Sequence, residues 1–189
     1  MPNPLEDPYV YPGTRVLRNT HGIHDADQLA RVEADVTALA LAELAERGLL
    51  GGYDLTHLQA FHRAIFGDLY PWAGQVRTVT ISKPGSLFAL PQHIESAATD
   101  IFGRLARAKH LRGLDRDSFI EQLAELWGDV DALHPFREGN GRATRAFLLQ
   151  LAVDADHHLA WARLDPDPGY SRRARDHGFR GWRNKERCP

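Results

Sequence analysis

The chain has 189 residues, of which 43% are hydrophobic and 25% charged, a composition ordinary for a soluble domain with its own core. Its net charge of −2 argues against a general nucleic-acid-binding protein, and its single cysteine, Cys188, excludes an internal disulfide. Because no apolar run could cross a bilayer and the first residues lack a secretory signal, we expect one soluble cytoplasmic domain without a nucleic-acid or membrane partner.

The first part of the chain predicts an arm and a helix. Residues 1–24 contain four prolines and predict an extended arm laid over the domain surface. Asp25 predicts the N-cap of a helix that runs to about Arg47. Apolar residues at spacings of three and four predict its core face: Leu29, Val32, Val36 and Leu39.

A second helix follows, with Asp54 as its predicted N-cap. Its predicted core face is also a stripe of apolar residues: Leu55, Leu58, Phe61, Ile65 and Leu69. His57 and His62 are five positions apart and do not share a helical face. We therefore do not assign them as metal ligands.

A β-hairpin is predicted between the second and third helices. Residues 76–81 alternate and are β-branched, which predicts a strand, and residues 82–86 predict a turn. Residues 87–90 predict a short return strand. A lone hairpin is marginal in water, so the simplest interpretation is a surface hairpin packed by Ile81 and Phe88.

Three more helices are predicted after the hairpin. Pro91 suits the first turn of a third helix, and Gly113 ends that region. Asp115 starts a fourth helix, which delivers His134 at its C-terminal end. A fifth helix begins near Asn140. The segment between the last two helices is therefore a loop whose exit is a helix N-terminus, where an anion binds well.

This loop combines residue types that suit phosphate chemistry. His134 is a proton acceptor near neutral pH, and one carboxylate, Glu138, is a typical protein ligand for Mg²⁺. Residues 139–141, Gly-Asn-Gly, can turn their N–H groups into an anion-binding nest. Arg142 and Arg145 are three apart and share a helical face.

The stretch 134–145 resembles the signature of the Fic family, His-x-Phe-x-(Asp/Glu)-Gly-Asn-Gly-Arg-x-x-Arg, and matches every defined position. The hairpin, residues 9–13 (Tyr-Val-Tyr-Pro-Gly) and residues 159–161 (Leu-Ala-Trp) also resemble Fic proteins, so the resemblance covers about residues 9–161. It implies an all-α Fic-type helical bundle over residues 25–161, with one small β-hairpin flap. Residues 162–189 are rich in arginine and predict a basic C-terminal tail, either a short helix or partly disordered.

Most Fic proteins transfer AMP from ATP to a protein hydroxyl, so the resemblance implies a protein adenylyltransferase with ATP as co-substrate. It makes His134 the general base, Phe136 the anchor of the loop and Glu138 the Mg²⁺ ligand. It assigns Arg142 to the β-phosphate and Arg145 to the γ-phosphate. The implied nucleotide-binding set, with Arg137 at its periphery, is Arg137, Glu138, Gly139, Asn140, Gly141, Arg142 and Arg145.

In the Fic family the hairpin is a flap that pairs with the backbone of the target protein and places its Tyr, Ser or Thr hydroxyl. The resemblance assigns this target-binding role to the first strand and turn of the hairpin: Thr80, Ile81, Ser82 and Lys83.

Two alternatives stay open. One is a Fic enzyme with another donor or with phosphotransfer activity, although the phosphorylating branch has a lysine where this chain has Gly141. The other is a catalytically silent domain used for binding.

Many Fic proteins are silenced by a helix carrying (Ser/Thr)-x-x-x-Glu-(Gly/Asn), whose glutamate pairs with the second signature arginine. No segment here fits: Thr37 is followed four residues on by Leu41, and Ser118 by Gln122. The chain therefore resembles bacterial Fic toxins that a separate small antitoxin protein inhibits in trans.

Overall fold

Five α-helices form the fold, which the computed structural model describes over residues 7–83 and 86–159. Their bounds are α1 Ala26–Arg47, α2 Leu55–Phe66, α3 Ile94–Arg107, α4 Arg116–Leu133 and α5 Asn140–Asp154. The predicted mainly α-helical fold class is confirmed. None of these helices is long and apolar enough to span a membrane. The tail predicted over 162–189 lies outside the described residues.

Three aspartates start helices as predicted. The carboxylates of Asp25, Asp54 and Asp115 each accept an N–H from the first helical turn, at 2.7, 2.8 and 3.0 Å. Such caps satisfy donors that the helix itself leaves unpaired. The third helix differs, because Pro91–His93 forms a 3₁₀ turn before α3 begins.

Helices α2 and α5 pack against each other at the centre of the bundle, and α1, α3 and α4 surround them. Phe147 of α5 is fully buried, with its ring centroid 5.4 to 5.9 Å from those of Tyr53, Phe61 and Phe102. Helix α1 lies at the edge, against α2 and α5. For this reason Leu39, predicted to face the core, is 72% exposed.

The β-hairpin forms nearer its tip than the sequence predicted. Strand β1 spans Ser82–Lys83 and pairs antiparallel with strand β2, Ser86–Leu87. The strand predicted over 76–81 is therefore wrong, and so is the bound of the return strand at 87–90. Both segments lead into the hairpin without pairing with each other.

Backbone hydrogen bonds to the end of α4 explain the shorter ladder. The Arg77 N–H donates to the Pro135 carbonyl at 2.9 Å, and the Ala89 N–H donates to the Ala132 carbonyl at 3.0 Å. Donors used in this way are not available to a strand ladder. The two segments are thus attached to the bundle beside the signature loop.

The N-terminal arm lies against the segment that leads to the hairpin. It turns back on itself through an antiparallel bridge between Val10 and Leu17. The Tyr9 ring meets Trp72 edge-on at 5.4 Å, and its hydroxyl accepts the Thr78 N–H at 3.1 Å. The arm therefore contacts the chain that enters the hairpin.

Candidate active site

His134 ends α4 in the left-handed conformation, with φ 45° and ψ 61°. Its side chain is buried, and Nδ1 lies 3.1 Å from the Asp131 carbonyl oxygen. Because a carbonyl oxygen only accepts, the neutral ring carries its proton on Nδ1 and its lone pair on Nε2. That tautomer offers a proton acceptor at Nε2, as a general base requires.

The turn after His134 is closed by Asn140. Its Oδ1 accepts the Phe136 N–H at 2.8 Å, and its Nδ2 donates to the Phe136 carbonyl at 2.7 Å. The Phe136 side chain is fully buried, as expected of the loop anchor. Because the Asn140 side chain is occupied by these bonds, its contribution to an anion site comes from the backbone.

The N-terminus of α5 forms the other side of the site. Gly139 is its N-cap with φ 78°, and a Cβ there would lie 2.3 Å from Phe66 ring carbons. The Gly139 N–H donates to Glu138 Oε1 at 2.9 Å. Within residues 7–83 and 86–159, no acceptor meets the N–H of Asn140 or Gly141. Two open donors at a helix start form an anion-binding site.

The buried side chain of His62 joins this turn to the segment after α2. His62 Nδ1 accepts the Gly74 N–H at 2.9 Å, and Nε2 lies 2.8 Å from the Glu138 carbonyl, to which it donates. The ring lies 4.0 Å from that of Phe136. Burial lowers the pKa of His62 to about 4, and Arg142 adds to this, against the bond to Glu138. His62 is therefore neutral near pH 7, with its proton on Nε2.

Arg142 is held from three sides. Its Nη2 lies 2.5 Å from Glu33 Oε1 on α1, and its Nη1 donates to Thr37 Oγ1 at 3.3 Å. Its Cζ stands 4.7 Å from the centre of the Phe66 ring. A guanidinium fixed in this way has little rotamer freedom left to lose when it binds a phosphate.

Glu33 is itself oriented by Tyr70, whose hydroxyl donates to the second carboxylate oxygen. Burial, together with this bond to Glu33, raises the pKa of Tyr70 above its usual range. The hydroxyl therefore stays protonated and acts as the donor. Arg142 thus depends on a carboxylate of α1 that is 109 positions away in the chain.

Arg145 is in a different environment, because its side chain is exposed. In the described part of the chain no carboxylate lies within ion-pair distance of it. Its Nη2 lies 4.0 Å from where a Cβ on Gly141 would stand, which puts the guanidinium beside the open N–H groups. These groups together can hold a polyanion.

Residues 52–152 match the sequence model of the Fic/DOC family. The chain belongs to this family. It is 45% identical over 159 residues to the protein adenylyltransferase VbhT of Bartonella schoenbuchensis, covering 84% of this chain and 33% of VbhT. It is 40% identical to the "Probable protein adenylyltransferase Fic" of Salmonella typhimurium, over 82% of this chain and 76% of that protein. The chain therefore spans about a third of VbhT.

Solved Fic domains share the fold. The ADP-bound N-terminal Fic domain of a VirB-translocated Bep effector protein from Bartonella quintana gives a TM-score of 0.82 at 26% identity, covering 89% of this chain and 87% of that one. BepC from Bartonella tribocorum, with bound AMPPNP, gives 0.77 at 25% identity, covering 84% and 82%.

The residues predicted for the Fic flap lie on the first strand and just before it. Thr80 precedes the strand and is exposed, Ile81 is half-buried, and Ser82 and Lys83 form β1 and are exposed. The sheet among the described residues has two strands, so β1 keeps an outer edge. Such an edge offers backbone groups to another chain.

Arg137 points to the arm. Its Nε and Nη2 lie 2.8 and 2.7 Å from Asp7 Oδ2. This contact ties the arm to the signature loop, and the assignment of Arg137 to the nucleotide-binding set stays a prediction.

Glu138 has the properties expected of a Mg²⁺ ligand. Its side chain is 47% exposed, and Oε1 lies 3.9 Å from Arg142 Nη2. No cluster of three or more His, Cys, Asp or Glu residues in the described chain could hold a metal ion by itself. A single accessible carboxylate fits Mg²⁺, which completes its shell with water and substrate phosphates.

Two residues that support the site were present in the predicted elements without being recognised. His62 lies on the apolar face of α2, four residues after Leu58 and three before Ile65. In the segment 76–81, Arg77 alternates in step with the apolar residues Val79 and Ile81. Only 1% of its surface is exposed. A polar residue at a position that faces the core indicates that it hydrogen-bonds to another buried polar group.

The environment of His62 predicts a pH dependence of stability. Its pKa rises from about 4 in the folded chain to about 6.5 on unfolding. The unfolded chain binds more protons between these values, so the free energy of unfolding falls as pH falls through this window, by about 3 kcal/mol in full. His62→Gln should lose this dependence, as measured by urea unfolding at several pH values. Equal pH slopes in the two proteins would contradict it, and the exposed His93→Gln is the control.

Proposed function

We propose that the chain transfers AMP from ATP to a hydroxyl side chain of a target protein and releases pyrophosphate. One observation carries the proposal: a buried histidine with its lone pair on Nε2 ends one helix, and two open N–H groups begin the next. A proton acceptor and a phosphate site are thus six residues apart in one loop. The names of the relatives, protein adenylyltransferases, support the same reaction.

In this mechanism His134 removes the hydroxyl proton as the hydroxyl oxygen forms its bond to the α-phosphorus. The bond from the α-phosphorus to the bridging oxygen breaks, and pyrophosphate leaves. The N–H groups of Asn140 and Gly141 hold phosphate oxygens at the positive end of α5. Arg142 steadies the β-phosphate and Arg145 the γ-phosphate. Catalysis then depends mainly on position and charge, as in other phosphoryl-type transfers.

Glu138 is the residue that would hold Mg²⁺. When bound, the metal neutralises negative charge on the phosphates and on the leaving group. The carboxylate is kept accessible by its place at the helix start, where Oε1 accepts the Gly139 N–H.

Labelled ATP separates this reaction from the alternatives. Protein labelled from the α position indicates AMP transfer, and protein labelled from the γ position alone indicates phosphotransfer. Label from neither position, with ATP bound, would favour a silent binding domain.

His134→Ala should abolish transfer from α-labelled ATP but leave the affinity for ATP·Mg²⁺ within about twofold, because the base acts on the target hydroxyl. Calorimetry measures the affinity, and the exposed His21→Ala is the matched control. A large loss of ATP affinity would mean that His134 has a binding role instead.

Arg145→Ala should weaken ATP roughly tenfold and ADP much less, because only ATP has a γ-phosphate. The exposed Arg116→Ala should change neither affinity. Equal losses for the two nucleotides would show that Arg145 does not contact the γ-phosphate.

Regulation is the last part of the proposal. The open guanidinium of Arg145 is the group that a carboxylate of a separate inhibitory protein would occupy, as an antitoxin does for a toxin in the bacterial cytoplasm. Expressed alone in a bacterium, the chain should arrest growth, and His134→Ala should abolish the arrest. Harmless expression alongside robust target modification would refute the toxin role.

A further inference from the structure

Arg77 links the two segments of the flap to the catalytic histidine. Its Nε donates to the His134 carbonyl at 2.8 Å, Nη1 to the Val79 carbonyl at 2.7 Å and Nη2 to the Ala89 carbonyl at 2.5 Å. Val79 lies on the segment that enters the hairpin and Ala89 on the segment that leaves it. One side chain therefore joins three parts of the site.

This arrangement is costly, because a buried cation loses hydration. Burial lowers the pKa of Arg77, and no carboxylate in the described residues lies within ion-pair distance. The compensation comes from the three carbonyl groups, of which that of His134 lies at the C-terminal end of α4, where the helix carries partial negative charge. The fork of Arg77 matches three carbonyls at once, which the single ammonium group of a lysine cannot reproduce.

The segment leaving the hairpin holds the ring of the same histidine. Phe88 is buried and stacks on the His134 imidazole, with ring centroids 3.7 Å apart and planes 16° apart. This face-on contact restricts rotation of the imidazole while Nδ1 lies at the Asp131 carbonyl. Arg77 thus restrains the backbone of His134, and Phe88 restrains its side chain.

We propose that Arg77 and Phe88 are positioning residues that couple the flap to the general base. Neither would contact the nucleotide; both act through His134. A target strand docked on β1 is thereby aligned with Nε2, because the flap and the imidazole are held by the same two side chains. The inference deepens the proposed AMP transfer and depends on it for its catalytic readout.

The test measures the rate of AMP incorporation from α-labelled ATP, with proteins of a dialysed bacterial lysate as acceptors. Phe88→Leu should lower the rate about 10- to 100-fold at saturating ATP, because small displacements of a catalytic group are expensive. The affinity for ATP should stay within about twofold. Phe119→Leu is a matched control, since Phe119 is also buried and stacks on His157 at 3.9 Å, outside the signature loop.

Nitrogen-15 spectra of the His134 ring give a readout that loss of stability would not produce. The wild-type ring should show the Nδ1-protonated tautomer, and Phe88→Leu and Arg77→Met should shift it toward a tautomer mixture in the folded protein. Arg77→Lys should recover part of the activity that Arg77→Met loses. If Arg77→Met does not fold, Phe88→Leu decides the question.

A folded Phe88→Leu protein with a wild-type rate and unchanged His134 nitrogen shifts would overturn the proposal. If the wild-type protein incorporates no label from α-labelled ATP, the proposed function fails. The nitrogen spectra would still decide whether Phe88 and Arg77 position the imidazole.

Discussion

The junction between α4 and α5 is the constraint on which the site depends. The C-terminal end of one helix and the N-terminal end of the next must meet within the few residues from His134 to Asn140. The negative end of α4 receives the Arg77 guanidinium, and the positive end of α5 has open N–H groups for an anion. The Asn140 side chain bonds both backbone groups of Phe136, and His62 bonds the Glu138 carbonyl, so these three buried groups of the turn have partners. Because the turn is this short, the imidazole of His134 and the first N–H groups of α5 lie close together.

The two signature arginines are unlike each other, although they lie one helical turn apart. Arg142 is fixed by Glu33 and Thr37 of α1 and by the face of Phe66 before any phosphate arrives. Arg145 is exposed and has no carboxylate partner in the described chain. An ion pair with Glu33 restrains Arg142, whereas the exposed side chain of Arg145 is accessible to an anion from solvent. Under the proposed regulation, Arg145 is therefore the residue at which a carboxylate of an inhibitory protein would compete with a phosphate.

Local signals in the sequence predicted the helices, and long-range contacts account for what it missed. Asp25, Asp54 and Asp115 cap helices as predicted because a cap bonds within its own turn. Alternation over 76–81 predicted a strand, but the partners of that segment are carbonyls of α4 and of the signature loop. The pairing of Glu33 with Arg142 likewise joins positions that no local pattern connects. The signature residues were recognisable as a group, whereas the residues that hold them in place, Glu33, His62 and Arg77, were not.

Two residues of the loop, His134 and Gly139, have positive φ, and the structure tolerates this conformation for a different reason at each. Gly139 must lack a side chain, because a Cβ would lie 2.3 Å from the Phe66 ring. His134 carries the proposed general base on its side chain and still adopts the left-handed conformation, at a cost of about 1 kcal/mol. Its carbonyl is held by Arg77 and its ring by Phe88, and these contacts offset that cost. The strained conformation of His134 is therefore held by the two segments that flank the hairpin, so the geometry of His134 depends on those segments as well as on α4.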